Sequence, residues 1–281
     1  MKIIILNLKK LFFPLYLPIK NYQIFLITIF GNNLKLTLQD FKIRFQVAKL
    51  LSYGDRYRMY QPIPFKEFDD ITPARSRACD MRWKEMSKYL PENMEGITVL
   101  DLGAAEGYFG LQCAKRGAKV TAIEFFPGKS RLIRLLAKKF KLDSFSVITD
   151  DISNVDLIPL GSFDYIFYLN IHQHIYKRSP DRADKKLYEI SKICKKTIFF
   201  ETRPVQFSDA VASLRPENPQ PFQDIETTLK YVQDGTTFDQ AEELFYNGYD
   251  SEPDNCESIP DEYDNIYRLF ILKRSGELLS E

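Results

Sequence analysis

Val99-Leu100-Asp101-Leu102-Gly103-Ala104-Ala105-Glu106-Gly107-Tyr108-Phe109-Gly110 is the stretch that decides the fold. Ile97 to Leu102 reads as a short strand of the fully buried kind, and glycine breaks it. Phe109 to Arg116 then carries apolar residues at helical spacing until Gly117 ends the run. Gly103 and the small Ala104 and Ala105 let backbone approach a ligand closely, and Gly107 admits a tight strand-to-helix turn. Asp101 sets a carboxylate beside that turn.

The same alternation continues downstream. Lys119 to Glu124, Ser144 to Thr149, Phe163 to Leu169 and Thr197 to Glu201 read as strands. Gly128 to Phe140 and Arg182 to Lys195 read as the helices between them. Strands alternating with helices of ten to fifteen residues mean βαβ units and a parallel sheet. After a polar insertion the spacing predicts a helix over Phe238 to Tyr246 and a last strand over Ile266 to Lys273. The acidic stretch Asp250 to Asp264 reads as a surface loop. The fold class expected is therefore α/β, a doubly wound and mostly parallel sheet over residues 92–275, followed by a short tail at 276–281. Ahead of it, residues 59–91 read as a linker and a capping helix, with Arg75 to Leu90 helical and closed by Pro91.

Residues 1–58 form an extension that is both basic and apolar. Lys9, Lys10, Lys20, Pro14 and Pro18 interrupt its apolar run, whereas a spanning helix needs about 20 mostly apolar residues. No small-residue cleavage site of the secretory kind follows it. The lysines do allow weak interfacial association with a membrane. Leu34 to Leu38 and Phe41 to Phe45 alternate apolar and polar residues, which predicts a small hairpin.

With 281 residues, 44% of them hydrophobic and 27% charged, the chain can bury an ordinary core, which excludes disorder and a polytopic membrane protein. A formal net charge of +1 gives no bulk reason to expect nucleic acid. The charge is uneven, however: residues 1–60 carry ten Lys and Arg against two acids, and residues 201–281 carry six against eighteen. Four cysteines stand far apart with no CxxC pair, which fits a reducing cytoplasm and argues against a disulfide framework or a zinc site.

In an open parallel sheet the ligand sits at the carboxyl ends of the strands, where the strand order reverses. The glycine loop there is not G-x-G-x-x-G, and a pyrophosphate would gain nothing from Asp101 and Glu106 beside it. The loop suits a ligand with a positive group. Glu124 closes the second strand, where a carboxylate can take both hydroxyls of a ribose. Asp150, Asp151 and Ile152 end the third strand, able to bond an adenine amino group and cover its ring; Asp151 is favoured over Asp150.

VLDLGAAEGYFG, followed in order by VTAIE, ITDDI and FDYIFYLNIHQHI, resembles the class I S-adenosylmethionine-dependent methyltransferases over residues 97–201. The resemblance implies a Rossmann-like seven-stranded sheet and S-adenosyl-L-methionine as cofactor. It implies that Asp101, Gly103, Ala104 and Gly107 line the methionine part, Glu124 holds the ribose, and Asp151 with Ile152 holds the adenine. Asn170 and His172 would form the floor near the methyl group. Tyr108 either covers the cofactor or packs the helix on the sheet, and Glu106 could simply begin that helix. Arg75, in the run Arg75-Ser76-Arg77-Ala78-Cys79-Asp80-Met81-Arg82-Trp83, could hold the cofactor's carboxylate from a cap.

Methyl transfer from a sulfonium asks mainly for alignment in a dry pocket, and an oxygen acceptor also needs its proton removed. His172 and His174, the only histidines, follow the fourth strand, and Glu201 ends the fifth; these are the candidate bases. Either histidine could instead only shape the loop. Arg75 to Trp83, Tyr176 to Pro180 and Phe200 to Thr202 are similar to the tRNA wobble-uridine carboxymethyltransferases. That family's pattern has a Lys before the Trp and a Tyr-His pair in the loop. Here Arg82 precedes Trp83 and the loop reads His172-Gln173-His174, which argues against the family's carboxylated cofactor. The expectation is a cytoplasmic methyltransferase acting on oxygen of a small molecule or sugar-type metabolite. The alternatives are a tRNA-modifying enzyme landing through the basic first sixty residues, and a non-catalytic S-adenosylmethionine-binding partner protein.

Overall fold

A computed structural model describes residues 36–53, 59–71, 77–203, 208, 211, 213–214, 220–247 and 267–274. The apolar start of the chain, Arg75 and the acidic stretch Asp250 to Asp264 lie outside the described residues. Seven strands, β1 (Thr98–Leu102), β2 (Lys119–Ile123), β3 (Phe145–Ile148), β4 (Phe163–Leu169), β5 (Cys194–Thr202), β6 (Gln240–Asn247) and β7 (Tyr267–Lys273), form one sheet. Their order is β3-β2-β1-β4-β5-β7-β6. All neighbours pair in parallel except β7, which is antiparallel to both β5 and β6.

The helices among the described residues are α1 (Leu38–Leu51), α2 (Arg77–Met86), α3 (Tyr108–Lys115), α4 (Pro127–Lys139), α5 (His172–Tyr176), α6 (Pro180–Ile193) and α7 (Ile225–Asp234). None is long and apolar enough to cross a membrane.

Successive residues of a strand face opposite sides, and both sides here are buried. Leu100, Leu102, Ile166, Tyr168, Ile198, Phe200 and Phe270 pack with Leu187 and Ile190 of α6 and Val232 of α7. Val99, Tyr165, Phe167, Phe199, Leu269 and Ile271 pack on the other side with Met86 of α2 and Phe109 and Cys113 of α3. Covering both faces with helices is what makes β1 and β4 apolar along almost their whole length. Each buried side chain of this size contributes about 1.5–3 kcal/mol.

Two expected elements differ. Residues 38–51 form a helix where the alternation predicted hairpin strands. Thr37 caps it reciprocally with Asp40, and Ile43, Val47 and Leu50 fall at helical spacing on a face buried against Leu132 and Leu136 of α4. A window that ends at Phe45 catches the two-residue alternation and misses that longer period. Arg44, buried in this cluster, forks onto Asp70 with bonds of 2.6 and 2.7 Å and also donates to the carbonyl of Glu67. The second difference is β6, a strand where a helix was expected. The helix-favouring Ala241-Glu242-Glu243-Leu244 is overridden by pairing along β7, with an irregular register between Glu243 and Phe245. The polar insertion holds α7, capped reciprocally by Asp224 and Thr227.

From β1 the chain winds outward through β2 to β3, then returns to β4 on the other side of β1. That reversal opens a crevice at the carboxyl ends of β1 and β4.

Candidate active site

Three residues in five carry left-handed backbone after β1: Gly103 at φ 67°, Ala105 at 51° and Gly107 at 84°. The turn they make is held by its own amides. The N–H groups of Gly103 and Ala104 donate to the carbonyl of Ile123 at 2.8 and 3.0 Å, and that of Gly107 donates to Ala104 at 2.7 Å. The Ala105 N–H donates to Oε2 of Glu124 at 2.9 Å, and the Tyr108 N–H to Oε1 of Gln61 at 3.1 Å. Each of these five amides has a protein acceptor, so the loop has few donors to offer a phosphate, which binds through free backbone N–H groups.

What the loop offers is carboxylate. Asp101 is buried and accepts from the Gly110 N–H at 3.0 Å; burial, with Glu124 adding to it, pushes its carboxyl up to about 7. Glu124 accepts from Ala105 and, at 2.8 Å, from the Phe126 N–H. Burial raises its carboxyl to about 7 as well, against the pull of those bonds and of Lys129. Both side chains are thus poised to gain from a cation or a pair of hydroxyls in place of water. Phe125, next to Glu124, leaves its ring about half exposed.

Asp151 lies half-buried after β3, with Oδ1 accepting from the Ser153 N–H at 2.9 Å and Arg178 at 3.9 Å from Oδ2. Burial would raise its carboxyl, but the Ser153 bonds and the arginines beyond them bring it below the usual range. Ile152 is buried next to it. Asn170 follows β4 with a left-handed φ of 55°, its N–H donating to the Glu201 carbonyl at 2.8 Å. Its side-chain oxygen accepts from Nε2 of Gln173.

The three candidate bases sit in different surroundings. His172 is fully buried among Tyr168, Tyr176, Phe200, Phe222 and Tyr231. Its Nδ1 lies 3.1 Å from the Tyr168 hydroxyl and its Nε2 2.8 Å from that of Tyr231, which in turn donates to Asp184 at 2.5 Å. Burial depresses the imidazole to about 3. Both ring nitrogens are therefore occupied inside the core. Glu201 is fully buried too and pairs with Arg82 of α2 through contacts of 3.2 and 3.3 Å. Burial raises its carboxyl while Arg82 opposes the rise. His174 is the exposed one; enclosure by its neighbours, with Arg203, Lys177 and Arg178, disfavours its charged form.

Sequence reasoning missed two contributors, Gln61 and Lys129, and placed a third, Arg82, in the capping run without its partner. Gln61 bonds to the loop, Arg82 binds the end of β5, and Lys129 pairs with the fully buried Glu106 at 2.9 Å. Lys129 is one of five basic residues along α4, which hid it among solvated cations, and nothing in the chain near Gln61 marks it.

Comparison with known proteins fits this geometry. Residues 99–196 match the family model described as a methyltransferase domain. This stretch is a class I methyltransferase domain. The chain is 28% identical over 119 residues to the magnesium-protoporphyrin O-methyltransferase of Rhodobacter capsulatus, covering 42% of this chain and 50% of that one. Among solved structures, the bifunctional kinase-methyltransferase WbdD superposes with a TM-score of 0.55 at 17% identity, over 83% of this chain and 47% of that one. The N-terminal domain of EvdMO1 with SAH bound gives 0.55 at 13% identity, over 83% of this chain and 95% of that one. These two likenesses show the shared fold. The chain spans about half the length of the curated relative and of WbdD.

The cofactor of such a methyltransferase domain is S-adenosylmethionine. The donor set fits it: two buried carboxylates, a left-handed turn lacking a β-carbon at Gly103 and Gly107, and loop amides already spent within the protein. Arg75, expected to hold the cofactor's carboxylate, lies outside the described residues.

Proposed function

We propose that the chain transfers the methyl group of S-adenosylmethionine to an oxygen of a small-molecule or sugar-type acceptor. The observation that carries this reading is the commitment of the amides of Gly103, Ala104, Ala105, Gly107 and Tyr108 to protein acceptors, beside the two buried carboxylates Asp101 and Glu124. Such a loop favours a cationic, hydroxyl-bearing ligand over a phosphorylated one.

When bound, S-adenosylmethionine supplies a methyl group activated by a positive sulfur. Glu124 would hold the ribose hydroxyls, Asp101 with Gly103, Ala104 and Gly107 the methionine part, and Asp151 with Ile152 the adenine. Asn170 would form the floor beside them. The buried strand ends exclude water, which strengthens every polar contact in the crevice. His174 accepts the acceptor's hydroxyl proton at an imidazole nitrogen. It is neutral at pH 7, and its ring is not engaged as that of His172 is. Oxygen as the acceptor atom is supported by the name of the porphyrin O-methyltransferase relative, and a sugar-type acceptor by the EvdMO1 domain, whose structure was also obtained in the presence of SAH and D-fucose.

Incubation with methyl-labelled cofactor and a fractionated cell extract tests the proposal. Label in the small-molecule fraction, reduced at least tenfold by His174→Gln, is expected. Label in RNA or protein, or in no fraction, overturns it.

A further inference from the structure

A helix leaves its first N–H groups without partners of its own, and the cap residue commonly provides a side-chain oxygen for one of them. α3 begins on Gly107, which has no side chain to offer. Nor does the position tolerate one: φ is 84°, and a β-carbon would stand 2.9 Å from Cγ1 of Ile133. The missing acceptor arrives from another segment. Oε1 of Gln61, 47 residues earlier, takes the Tyr108 N–H at 3.1 Å.

Gln61 is itself anchored. Its N–H donates to Oε2 of Glu106 at 3.1 Å, and Oε1 of Glu106 pairs with Nζ of Lys129 at 2.9 Å. The Lys129 ammonium also lies 4.5 Å from the centre of the Tyr60 ring. Gln61, Glu106 and Lys129 are all buried, at 5%, 0% and 5% exposure, so water cannot replace these bonds. Residues 59–63, the turn after β1 and the start of α4 are thereby joined at one point.

We propose that Gln61 is a positioning residue of the cofactor loop, serving as the N-terminal cap of α3 from outside the helix and held there by the Glu106–Lys129 pair. The inference rests on the methyltransferase reading for its ligand, but not for its geometry. It makes the segment upstream of residue 99, where the family match begins, a part of the cofactor site.

The charge arrangement adds a second consequence. Glu124 is faced by the acids Asp101 and Glu106, by Tyr60, and by one cation, Lys129. Removing that cation leaves Glu106 and Glu124 to repel each other, which disfavours the ionised Glu124 that a ribose needs.

The test uses the full chain, amide hydrogen exchange, and calorimetry with S-adenosylhomocysteine. Gln61→Met keeps the bulk and deletes the acceptor. Exchange at residues 103–109 is expected to quicken at least tenfold while β4 and β5 stay protected, and affinity to weaken about tenfold. Gln61→Glu, which retains an acceptor oxygen, restores most of the protection. Lys129→Met moves the pH midpoint of binding upward, and Lys129→Met with Glu106→Gln brings it back, a behaviour that loss of packing would not produce. Unchanged exchange and affinity in folded Gln61→Met overturn the inference. Should that variant not fold, an unmoved midpoint in Lys129→Met overturns it instead. If the wild type fails to bind S-adenosylhomocysteine while the exchange effect appears, the functional reading fails and the cap stands.

Discussion

Gly103 and Ile171 interlock the two turns that frame the crevice: a β-carbon added to Gly103 would collide with Cδ1 of Ile171 and approach its Cγ1 to 2.8 Å. The turn after β1 and the turn after β4 therefore present one continuous surface, on which the backbone of the first is nearly flush with the side chain of the second.

Gly103→Ala meets two obstacles, the left-handed φ of 67° and the Ile171 side chain. Together they are expected to cost about 2–4 kcal/mol of stability. Ile171→Ala removes the second obstacle only, so the double variant should recover roughly half of the loss. Thermal or denaturant unfolding of the four proteins gives the coupling directly. Strict additivity would show that the two turns are independent.

Glu124 must be ionised to accept two hydroxyls, yet its carboxyl stands at about 7 in the free protein. Affinity for S-adenosylhomocysteine should therefore rise between about pH 6 and pH 8, with protons released to the buffer on binding. Calorimetry in buffers of different ionisation enthalpy measures that release. Glu124→Ala should weaken binding at least thirtyfold, about 2 kcal/mol, and should reduce the pH dependence to the part that Asp101, also near 7, contributes. An unchanged affinity in the folded variant would remove the ribose assignment.

His172 and Asp101 pull the stability of the ligand-free protein in opposite directions with pH. The imidazole is near 3 when folded and 6.5 unfolded, so its contribution is complete above pH 6.5 and is lost as pH falls toward 3. The Asp101 carboxyl is near 7 when folded and 3.8 unfolded, so the native state holds a proton that the unfolded chain releases. Its contribution is complete below pH 4 and is lost as pH rises to 7. His172→Phe should flatten the acid side of the stability profile, and Asp101→Asn should flatten the slope between pH 4 and 7. Each effect is on the order of 4–5 kcal/mol at most. Guanidinium unfolding at intervals of one pH unit would detect both.

The parallel part of the sheet was legible because β1, β4 and β5 are buried on both faces and are bounded by glycine or polar turns, as in Val99 to Gly103. The acids at the strand ends were legible for a related reason: Asp101 and Glu124 interrupt apolar runs where only a ligand or a turn would want a charge. The flanks were harder. Leu38 to Phe45 satisfies a two-residue and a helical period at once, and only the burial of its helix against α4 selects the helical one. β6 forms because β7 offers an unpaired edge, a relationship between segments that local preference does not contain. The same holds for Gln61, Arg82 and Lys129, whose partners lie 23 to 119 residues away. His172 shows the converse. Its place after β4 pointed to the crevice, but its ring turns into an aromatic core completed by Tyr231 of α7, a helix that was not foreseen.

Everything proposed for the site depends on a turn that receives a sulfonium nucleoside and has no cradle for phosphate. Isothermal calorimetry on the full chain, run separately with S-adenosylhomocysteine, NAD and ATP, tests this most directly. Heat is expected with S-adenosylhomocysteine alone, at one site per chain. Silence with S-adenosylhomocysteine together with saturable uptake of NAD or ATP would contradict it.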